Sequence, residues 1–147
     1  MNNNDINNIP ENILDLLLLI HNKLLNPNEM VKGSIMPPSH MKVIFYLSKK
    51  KTMSVSNVAK CLDISKPNMT PIIDKLINEG FVNRYTDSDD RRKINIELTD
   101  KAYSFIREKK AEIKAILIKK ISFLDENDVL KLNSAINDMT EILSKLE

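Results

Sequence analysis

The chain has 147 residues, a length that fits one folded domain better than two. Its 42% hydrophobic and 29% charged residues are typical of a globular protein and exclude a disordered or membrane-embedded chain. The net charge is only +2, but the stretch from His40 to Lys93 carries 11 Lys or Arg against 6 Asp or Glu. The middle of the chain is therefore its basic part.

The N-terminal region predicts a helix that is covered on all sides. Between Ile9 and Leu25, apolar residues fall on nearly every face of a helix. One small subunit does not readily supply so much partner surface, so the pattern favours a homodimer. The apolar run from Ile13 to Ile20 is too short to span a bilayer, and no secretory pattern precedes it. Because the single Cys61 also suits a reducing compartment, we expect a cytoplasmic protein without a membrane partner.

Two short helices are predicted next, each with a polar residue at its start. Ser39 is expected to cap a helix that runs through Leu47, and Ser54 to cap a short helix from Val55 to Leu62. A tight link at positions 63 and 64 follows, which is typical of a helix-turn-helix.

The helix that follows this link is predicted to end at Gly80, but its start is open. If it begins at Ser65, Pro71 lies inside the helix and removes one backbone donor. If Asn68 is the N-cap instead, Pro71 falls in the first turn and costs little. The residues alone allow both.

After Gly80 the apolar period changes from helical to alternating. Phe81 to Thr86 predicts one strand, and Ile94 to Leu98 predicts a second. The charged turn from Asp87 to Lys93 joins them into a hairpin. A helix-turn-helix followed by such a hairpin is the outline of a winged helix.

The C-terminal part predicts two more helices. Thr99 is the expected N-cap of the first, and Asp125 of the second. In the second, apolar residues recur at alternating spacings of three and four, which indicates a helix-packing seam. The residues of this seam are Val129, Leu132, Ile136, Met139, Leu143 and Leu146.

Polar side chains near the start of the helix that ends at Gly80 are the first candidates for reading DNA. Residues at this end of a recognition helix usually meet base edges and phosphates in the major groove. The candidates here are Ser65, Lys66, Asn68 and Thr70, with Lys75 further along the same helix. In the hairpin turn, an Arg on a protruding tip can enter the minor groove, and Asp90 can pair with it and hold its direction.

These segments resemble the MarR family of bacterial regulators. The resemblance rests on Ser65-Lys66-Pro67 through Leu76, Gly80-Phe81-Val82, Asp90-Arg91-Arg92 and Leu98-Thr99, and it extends to the flanking helices. It implies a homodimer whose N- and C-terminal helices interlock and whose two winged lobes enter successive major grooves. It further implies that Arg92 is the minor-groove residue, that Asp90 orients it, and that Arg91 and Arg84 face phosphates or acidic neighbours. With Lys93 of the same turn, the expected DNA-binding residues are Ser65, Lys66, Asn68, Thr70, Lys75, Arg84, Asp90, Arg91, Arg92 and Lys93.

The expected organisation is a single domain over 1–147, mostly α with a small β-hairpin. Residues 36–99 form the winged helix-turn-helix lobe, and 1–35 and 100–147 supply the dimerisation helices. The expected function is sequence-specific binding of double-stranded DNA at a pseudo-palindromic operator, as a repressor released by a small-molecule effector. The alternative is a dimeric protein-interaction module that uses the winged lobe without specific DNA binding. The sequence contains no Gly-rich phosphate loop and no nucleophile with a paired His, so we do not expect an enzyme.

The resemblance also implies regulation, since members of the family commonly release DNA on binding small anionic aromatics or on cysteine oxidation. Met30, Met36, His40 and Met41 are expected near an effector pocket, but methionines are more often core filler, so no effector residue is assigned. Cys61 lies in the helix before the recognition helix, where a structural or inert thiol is expected. No metal or other cofactor is expected, because His21 and His40 are far apart in sequence and form no ligand pattern with Cys61.

Overall fold

The computed structural model describes residues 3–26 and 36–146 of the chain. Met30 and the rest of 27–35, which belong to the predicted effector pocket and dimerisation region, lie outside the described residues. In chain order the elements are α1 (Asn3–Lys23), α2 (Pro38–Leu47), β1 (Met53–Ser54), α3 (Val55–Cys61), α4 (Lys66–Asn78), β2 (Val82–Thr86), β3 (Ile94–Leu98), α5 (Asp100–Ile121) and α6 (Glu126–Leu143). This mostly helical architecture with a small antiparallel sheet confirms the predicted fold class.

The described residues group into two units. The winged unit lies within 28–111 and contains α2 to β3 and the start of α5, whereas the helical unit lies within 1–27 and 112–147. The predicted winged lobe ends at residue 99, but the winged unit continues to 111. The reason is that Ala102 and Ile106 of α5 are buried in its core.

The two short helices begin in different ways. Ser54 caps α3 as predicted, because its Oγ accepts a 3.2 Å hydrogen bond from the backbone N–H of Asn57. The predicted cap at Ser39 is wrong, since α2 begins at Pro38 and has Pro37 as its N-cap without a side-chain cap. Proline suits the first helical position because its missing N–H has no intrahelical partner there. The Ser39 hydroxyl instead lies 3.1 Å from Nδ1 of His40.

Of the two predicted starts of α4, the one at Ser65 is found. Ser65 is the N-cap with extended backbone, and its carbonyl accepts hydrogen bonds from the N–H groups of Asn68 (3.0 Å) and Met69 (2.9 Å). Pro67 falls in the first turn, where it is well tolerated. Pro71 lies inside the helix, which continues past it to Asn78.

The end of α4 is closed by a glycine in the left-handed region. Gly80 has φ +78°, and the N–H groups of Gly80 and Phe81 donate to the carbonyls of Ile77 (2.9 Å) and Leu76 (2.8 Å). This is the Schellman arrangement, which satisfies the last carbonyls of a helix. It turns the chain directly into β2.

The sheet has the strand order β1-β3-β2, and all its pairs are antiparallel. In the hairpin, Val82 pairs with Leu98 and Thr86 with Ile94, in agreement with the predicted strands. The two-residue β1, which the sequence analysis did not predict, pairs Met53 with Ile96. A strand this short has no alternation to detect, so only the pairing with β3 defines it.

The core of the winged unit consists of buried apolar side chains from α2, α3, α4, the hairpin and the start of α5. Its fully buried large members are Ile44, Leu47, Met69, Ile73, Leu76, Ile96, Val43, Val58 and Val82. Met36 is buried in the same core, and Met41 packs against it. Both methionines therefore fill the core, the more common of the two roles weighed above.

The helical unit consists of α1, the end of α5 and α6. Asp125 caps α6 as predicted, because its Oδ1 accepts a 2.8 Å hydrogen bond from the N–H of Asp128. Nζ of Lys120 donates a 3.0 Å hydrogen bond to the carbonyl oxygen of Lys23 at the end of α1. Across residues 3–26 and 36–146, none of the helices combines the length and apolar character that a bilayer span requires.

Candidate nucleic-acid interface

The predicted recognition helix, α4, has one buried and one exposed face. Met69, Ile72, Ile73 and Leu76 hold it in the core of the winged unit. The side chains of the opposite face point to solvent, and they are Ser65, Lys66, Asn68, Thr70, Asp74 and Lys75. A helix anchored in this way presents a rigid polar surface.

Two of the exposed side chains on α4 have local partners. The hydroxyl of Thr70 donates a 3.1 Å hydrogen bond to the carbonyl oxygen of Lys66. Nζ of Lys75 lies 3.9 Å from Oε1 of Glu79, one turn further on. Such an exposed pair contributes little to stability, so Lys75 remains able to contact another anion.

The hairpin with its turn, 82–98, is called the wing, and a carboxylate at its base organises the turn. Oδ1 of Asp87 accepts hydrogen bonds from the N–H groups of Asp89 (2.9 Å) and Asp90 (3.1 Å), while its Oδ2 accepts one from Nδ2 of Asn95 (2.8 Å). These bonds, with the nearby charge of Lys93, hold the pKa of Asp87 below its ordinary value. The sequence analysis missed this role, although an Asp followed by polar residues in a turn is the usual signal for it.

At the tip of the wing, Asp90 holds Arg92. Oδ1 of Asp90 accepts a 3.0 Å hydrogen bond from the N–H of Arg92 and a 3.3 Å hydrogen bond from its Nε. The Arg92 side chain is 92% exposed, so one edge of its guanidinium is held while the rest faces solvent. The two side chains that were expected to pair are therefore in contact, and Arg91 beside them is exposed.

A second ion pair connects the wing with α4. NH1 of Arg84 on β2 lies 3.5 Å from Oδ1 of Asp74, and both side chains are about half exposed. Arg84 was expected to face either phosphates or acidic neighbours, and in this structure it faces an acidic neighbour.

Between α4 and the wing lies an open groove of about 950 Å³, called the basic groove below. Within the described part of the chain, its lining includes five cationic side chains and one carboxylate, that of Asp87. The cations are Lys50, Lys66, Arg84, Arg92 and Lys93. Thr70 also lines the groove, so half of the ten predicted DNA-binding residues meet there, whereas Ser65, Asn68, Lys75, Asp90 and Arg91 lie outside its lining.

The basic groove also contains residues that the sequence analysis did not select. Lys50 and Thr52 come from the turn before β1, and Ser56 and Asn57 from the first turn of α3. The run of three lysines at 49–51 was a signal for a basic surface in the sequence. Because it lies about 40 residues from the wing, the sequence did not show that both line one groove.

The other residues weighed for regulation lie apart from this groove. Partial burial lowers the pKa of His40, and the positive charge of Lys75 lowers it further, against the opposite effect of Glu79. Cys61 is exposed, and its hydrogen bond with the hydroxyl of Tyr46 raises the pKa of that tyrosine. No group of three or more metal-ligating side chains occurs among the residues with described positions.

Comparison with known proteins identifies the kind of fold. Residues 36–94 match the family model described as the MarR family. Two relatives come from Bacillus subtilis (strain 168). The HTH-type transcriptional regulator YfiV is 32% identical over 95 residues, which cover 65% of this chain and 59% of the relative. The HTH-type transcriptional repressor MdtR is 30% identical over 94 residues, covering 64% and 61%. The alignments thus span about three fifths of these relatives.

Solved structures agree with this fold over more of the chain. The YusO protein from Bacillus subtilis has a TM-score of 0.68 at 23% identity, covering 96% of this chain and 98% of that one. Streptococcus pneumoniae FabT in complex with DNA has a TM-score of 0.62 at 24% identity, covering 93% and 99%. At these identities the likeness concerns the fold, and it confirms the predicted winged helix with flanking helices.

Proposed function

We propose that this chain is a transcriptional regulator of the MarR family that binds double-stranded DNA with α4 and the wing, with support from the family-model match over 36–94 and from the two Bacillus subtilis relatives. In the proposed complex the N-terminal end of α4 lies in the major groove, where Ser65, Lys66, Asn68 and Thr70 meet base edges and phosphates. Arg92 enters the adjacent minor groove, held in direction by Asp90.

The observation that carries this proposal is the convergence of positive charge at the basic groove. Cations from α4, from β2 and from the wing turn line one concave surface, although the whole chain has a net charge of only +2. A cluster of cations next to the exposed face of a helix is typical of a protein that binds a polyanion. The FabT chain with a similar fold is described in complex with DNA, which supports the same mode of use.

We extend the proposal to a homodimer that binds a pseudo-palindromic operator. Large apolar side chains of the helical unit are exposed in the single chain, for example Leu18 (61%), Phe123 (83%) and Ile136 (52%). Soluble proteins rarely expose so many apolar side chains unless they form an interface. A two-fold dimer would present two recognition helices to half-sites about one turn of DNA apart.

The direction of regulation and its signal are finer parts of the proposal. We assign repression, with support from the relative MdtR, whose name describes a repressor. We further assign release of the operator by a small anionic aromatic effector. Titration of the protein–operator complex with benzoate tests the second assignment, since dissociation at a concentration that leaves an unrelated DNA complex intact would support it.

The first experiment selects duplexes from a random 40-base-pair pool with the full-length protein. Enrichment of a motif with two-fold symmetry supports sequence-specific binding by a dimer. Failure to retain any duplex at moderate salt would instead favour a protein-interaction module, and the proposal of DNA binding would be abandoned.

The second experiment compares two arginines in the same unit. Arg92→Ala should weaken binding to the selected duplex by about 1–3 kcal/mol, since it removes the proposed minor-groove contact. Arg107→Ala is the matched control, because Arg107 is an exposed arginine outside the basic groove. Equal affinities of the two variants would remove the wing from the mechanism.

A further inference from the structure

The basic groove has a geometric meaning if the protein binds DNA as proposed above. In a duplex, the major groove and the neighbouring minor groove are separated by one sugar–phosphate backbone. A protein that places a helix in the first and a wing tip in the second must therefore receive that backbone between them. The basic groove lies between α4 and the wing, and both elements line it.

The groove is also lined by the turn before β1, by β1 itself and by the first turn of α3. We call residues 49–52 the lysine turn, and its Lys50 and Thr52 reach the groove together with Arg92 and Lys93. The lysine turn lies about 40 residues from the wing in sequence, and the pairing of β1 with β3 brings the two together. Its exposed Lys50 faces the same space as the cations of the wing.

The lysine turn is held in place by several hydrogen bonds. The N–H groups of Lys49 and Lys50 donate to the carbonyls of Tyr46 (3.2 Å) and Leu47 (3.0 Å) at the end of α2. On the wing side, the hydroxyl of Tyr85 donates a 3.1 Å hydrogen bond to Oγ1 of Thr52. The backbone that carries Lys50 is thus fixed to both α2 and β2, so little ordering is needed when an anion binds.

The charge of the groove suits a phosphate strand. Five cations and one carboxylate belong to its described lining, and that carboxylate, Asp87, already accepts three hydrogen bonds from the wing. Two of the cations, Arg84 and Arg92, also pair with carboxylates outside the lining, whereas Lys50, Lys66 and Lys93 have no such ion pair in the described residues. Hydroxyl and amide side chains of Thr52, Ser56 and Asn57 add hydrogen-bonding groups beside Lys50. Ammonium, hydroxyl and amide groups are the usual partners of phosphate oxygens in DNA complexes.

We infer that the basic groove holds the sugar–phosphate backbone between the two DNA grooves, and that Lys50 of the lysine turn contacts a phosphate there. The lysine turn then contacts DNA in addition to α4 and the wing. It positions the duplex without reading its sequence, because a phosphate contact carries no base information. The inference depends on the proposed function.

The test compares Lys50→Ala with Lys42→Ala, an exposed lysine of the same unit outside the groove lining. Binding is measured as a function of salt on a selected duplex and on a duplex of scrambled sequence. We expect Lys50→Ala to weaken both complexes about fivefold to tenfold and to leave the ratio between them unchanged. The slope of log affinity against log salt should fall by about 0.9 for each Lys50 that contacts a phosphate, and by about twice that for a dimer.

A second measurement identifies the contact directly. Duplexes with a single neutral methylphosphonate at successive backbone positions are bound to the wild type and to Lys50→Ala. At the contacted position, the neutral linkage should weaken wild-type binding but cause little further loss in Lys50→Ala, because both changes remove the same interaction. Lys50→Arg, which retains the charge, should keep most of the wild-type affinity and salt slope.

The outcomes separate this inference from the proposed function. If the wild type binds the selected duplex and Lys50→Ala matches Lys42→Ala in affinity and salt slope, the role of Lys50 is wrong while DNA binding stands. If the wild type binds no duplex, both are wrong. Thermal unfolding of each variant tests whether the fold is kept. An affinity change at an unchanged melting temperature comes from the lost contact.

Discussion

Nζ of Lys101 donates a 2.6 Å hydrogen bond to the carbonyl oxygen of Glu79, the C-cap of the recognition helix α4. The same ammonium lies 4.6 Å from the centre of the Phe81 ring. Next to it, the hydroxyl of Thr99 donates a 2.7 Å hydrogen bond to the carbonyl oxygen of Gly80. The first turn of α5 thus holds the end of the helix that is proposed to read DNA.

This contact predicts a positioning role for Lys101. Lys101→Met retains a long apolar side chain over Phe81 but loses the ammonium, so the free energy of unfolding should fall by about 0.5–1.5 kcal/mol. DNA affinity should also fall, while the salt slope stays unchanged because no phosphate contact is removed. Urea unfolding and salt-dependent binding measure the two effects. The control is Lys110→Met, an exposed lysine of the same helix, and identical behaviour of the two variants would exclude the role.

Gly80 predicts a conformational cost for any side chain. Its φ of +78° is unfavourable for L-residues, although an added Cβ would meet its nearest atom, Cδ of Lys101, at an ordinary 3.8 Å. Gly80→Ala should therefore lower the free energy of unfolding by about 1–2 kcal/mol. Gly80→Asn should cost less, because Asn tolerates this region better. Denaturant titration of both variants measures the loss in free energy of unfolding. A larger loss for Asn than for Ala would indicate a steric origin instead.

Asp87 predicts a pH dependence of the wing. Its pKa in the folded chain lies below the ordinary value of 3.8, because the charged form accepts hydrogen bonds from Asp89, Asp90 and Asn95. The unfolded chain therefore binds the proton more readily. The stabilisation is fully present above about pH 3.8 and is lost as the pH falls through the lower folded value.

The measurement for Asp87 is the stability of Asp87→Asn relative to the wild type between pH 7 and pH 2.5. The wild type should be more stable at neutral pH, and the difference should shrink below pH 4. Asp89→Asn is the control, since the side chain of Asp89 accepts none of the three hydrogen bonds. A difference that is independent of pH would contradict the assignment.

The exposed seam of α6 predicts the oligomeric state. Ile136 is 52% exposed in the single chain and belongs to the apolar row that the 3,4 spacing predicted. If this row is buried in a homodimer, Ile136→Glu should shift the protein towards a monomer of 16.9 kDa in sedimentation equilibrium. Asn137→Glu adds the same charge one position away, on a different side of the helix, and should remain a dimer. A wild-type monomer would contradict the proposed homodimer.

Local patterns in the sequence were sufficient for most of the fold. Ser54 and Asp125 were predicted as N-caps because a cap depends only on a side chain and a backbone N–H three residues later. The two hairpin strands followed from alternating apolar residues, and the end of α4 followed from Gly80. The predicted N-cap at Ser39 was wrong for an equally local reason, since the neighbouring Pro38 already suits the first helical position.

The candidate site required the tertiary structure, because its contacts join residues that are far apart in the chain. Arg84 and Asp74 lie on different elements, and their pairing depends on how β2 packs beside α4. Lys50 reaches the basic groove only because β1 pairs with β3, and a two-residue strand leaves no periodic signal in the sequence. Local residue patterns were enough to place the helices and the two hairpin strands, together with the charges that they carry. Tertiary packing decided which charges share one groove, since strand pairing and helix packing depend on complementary surfaces rather than on residue spacing.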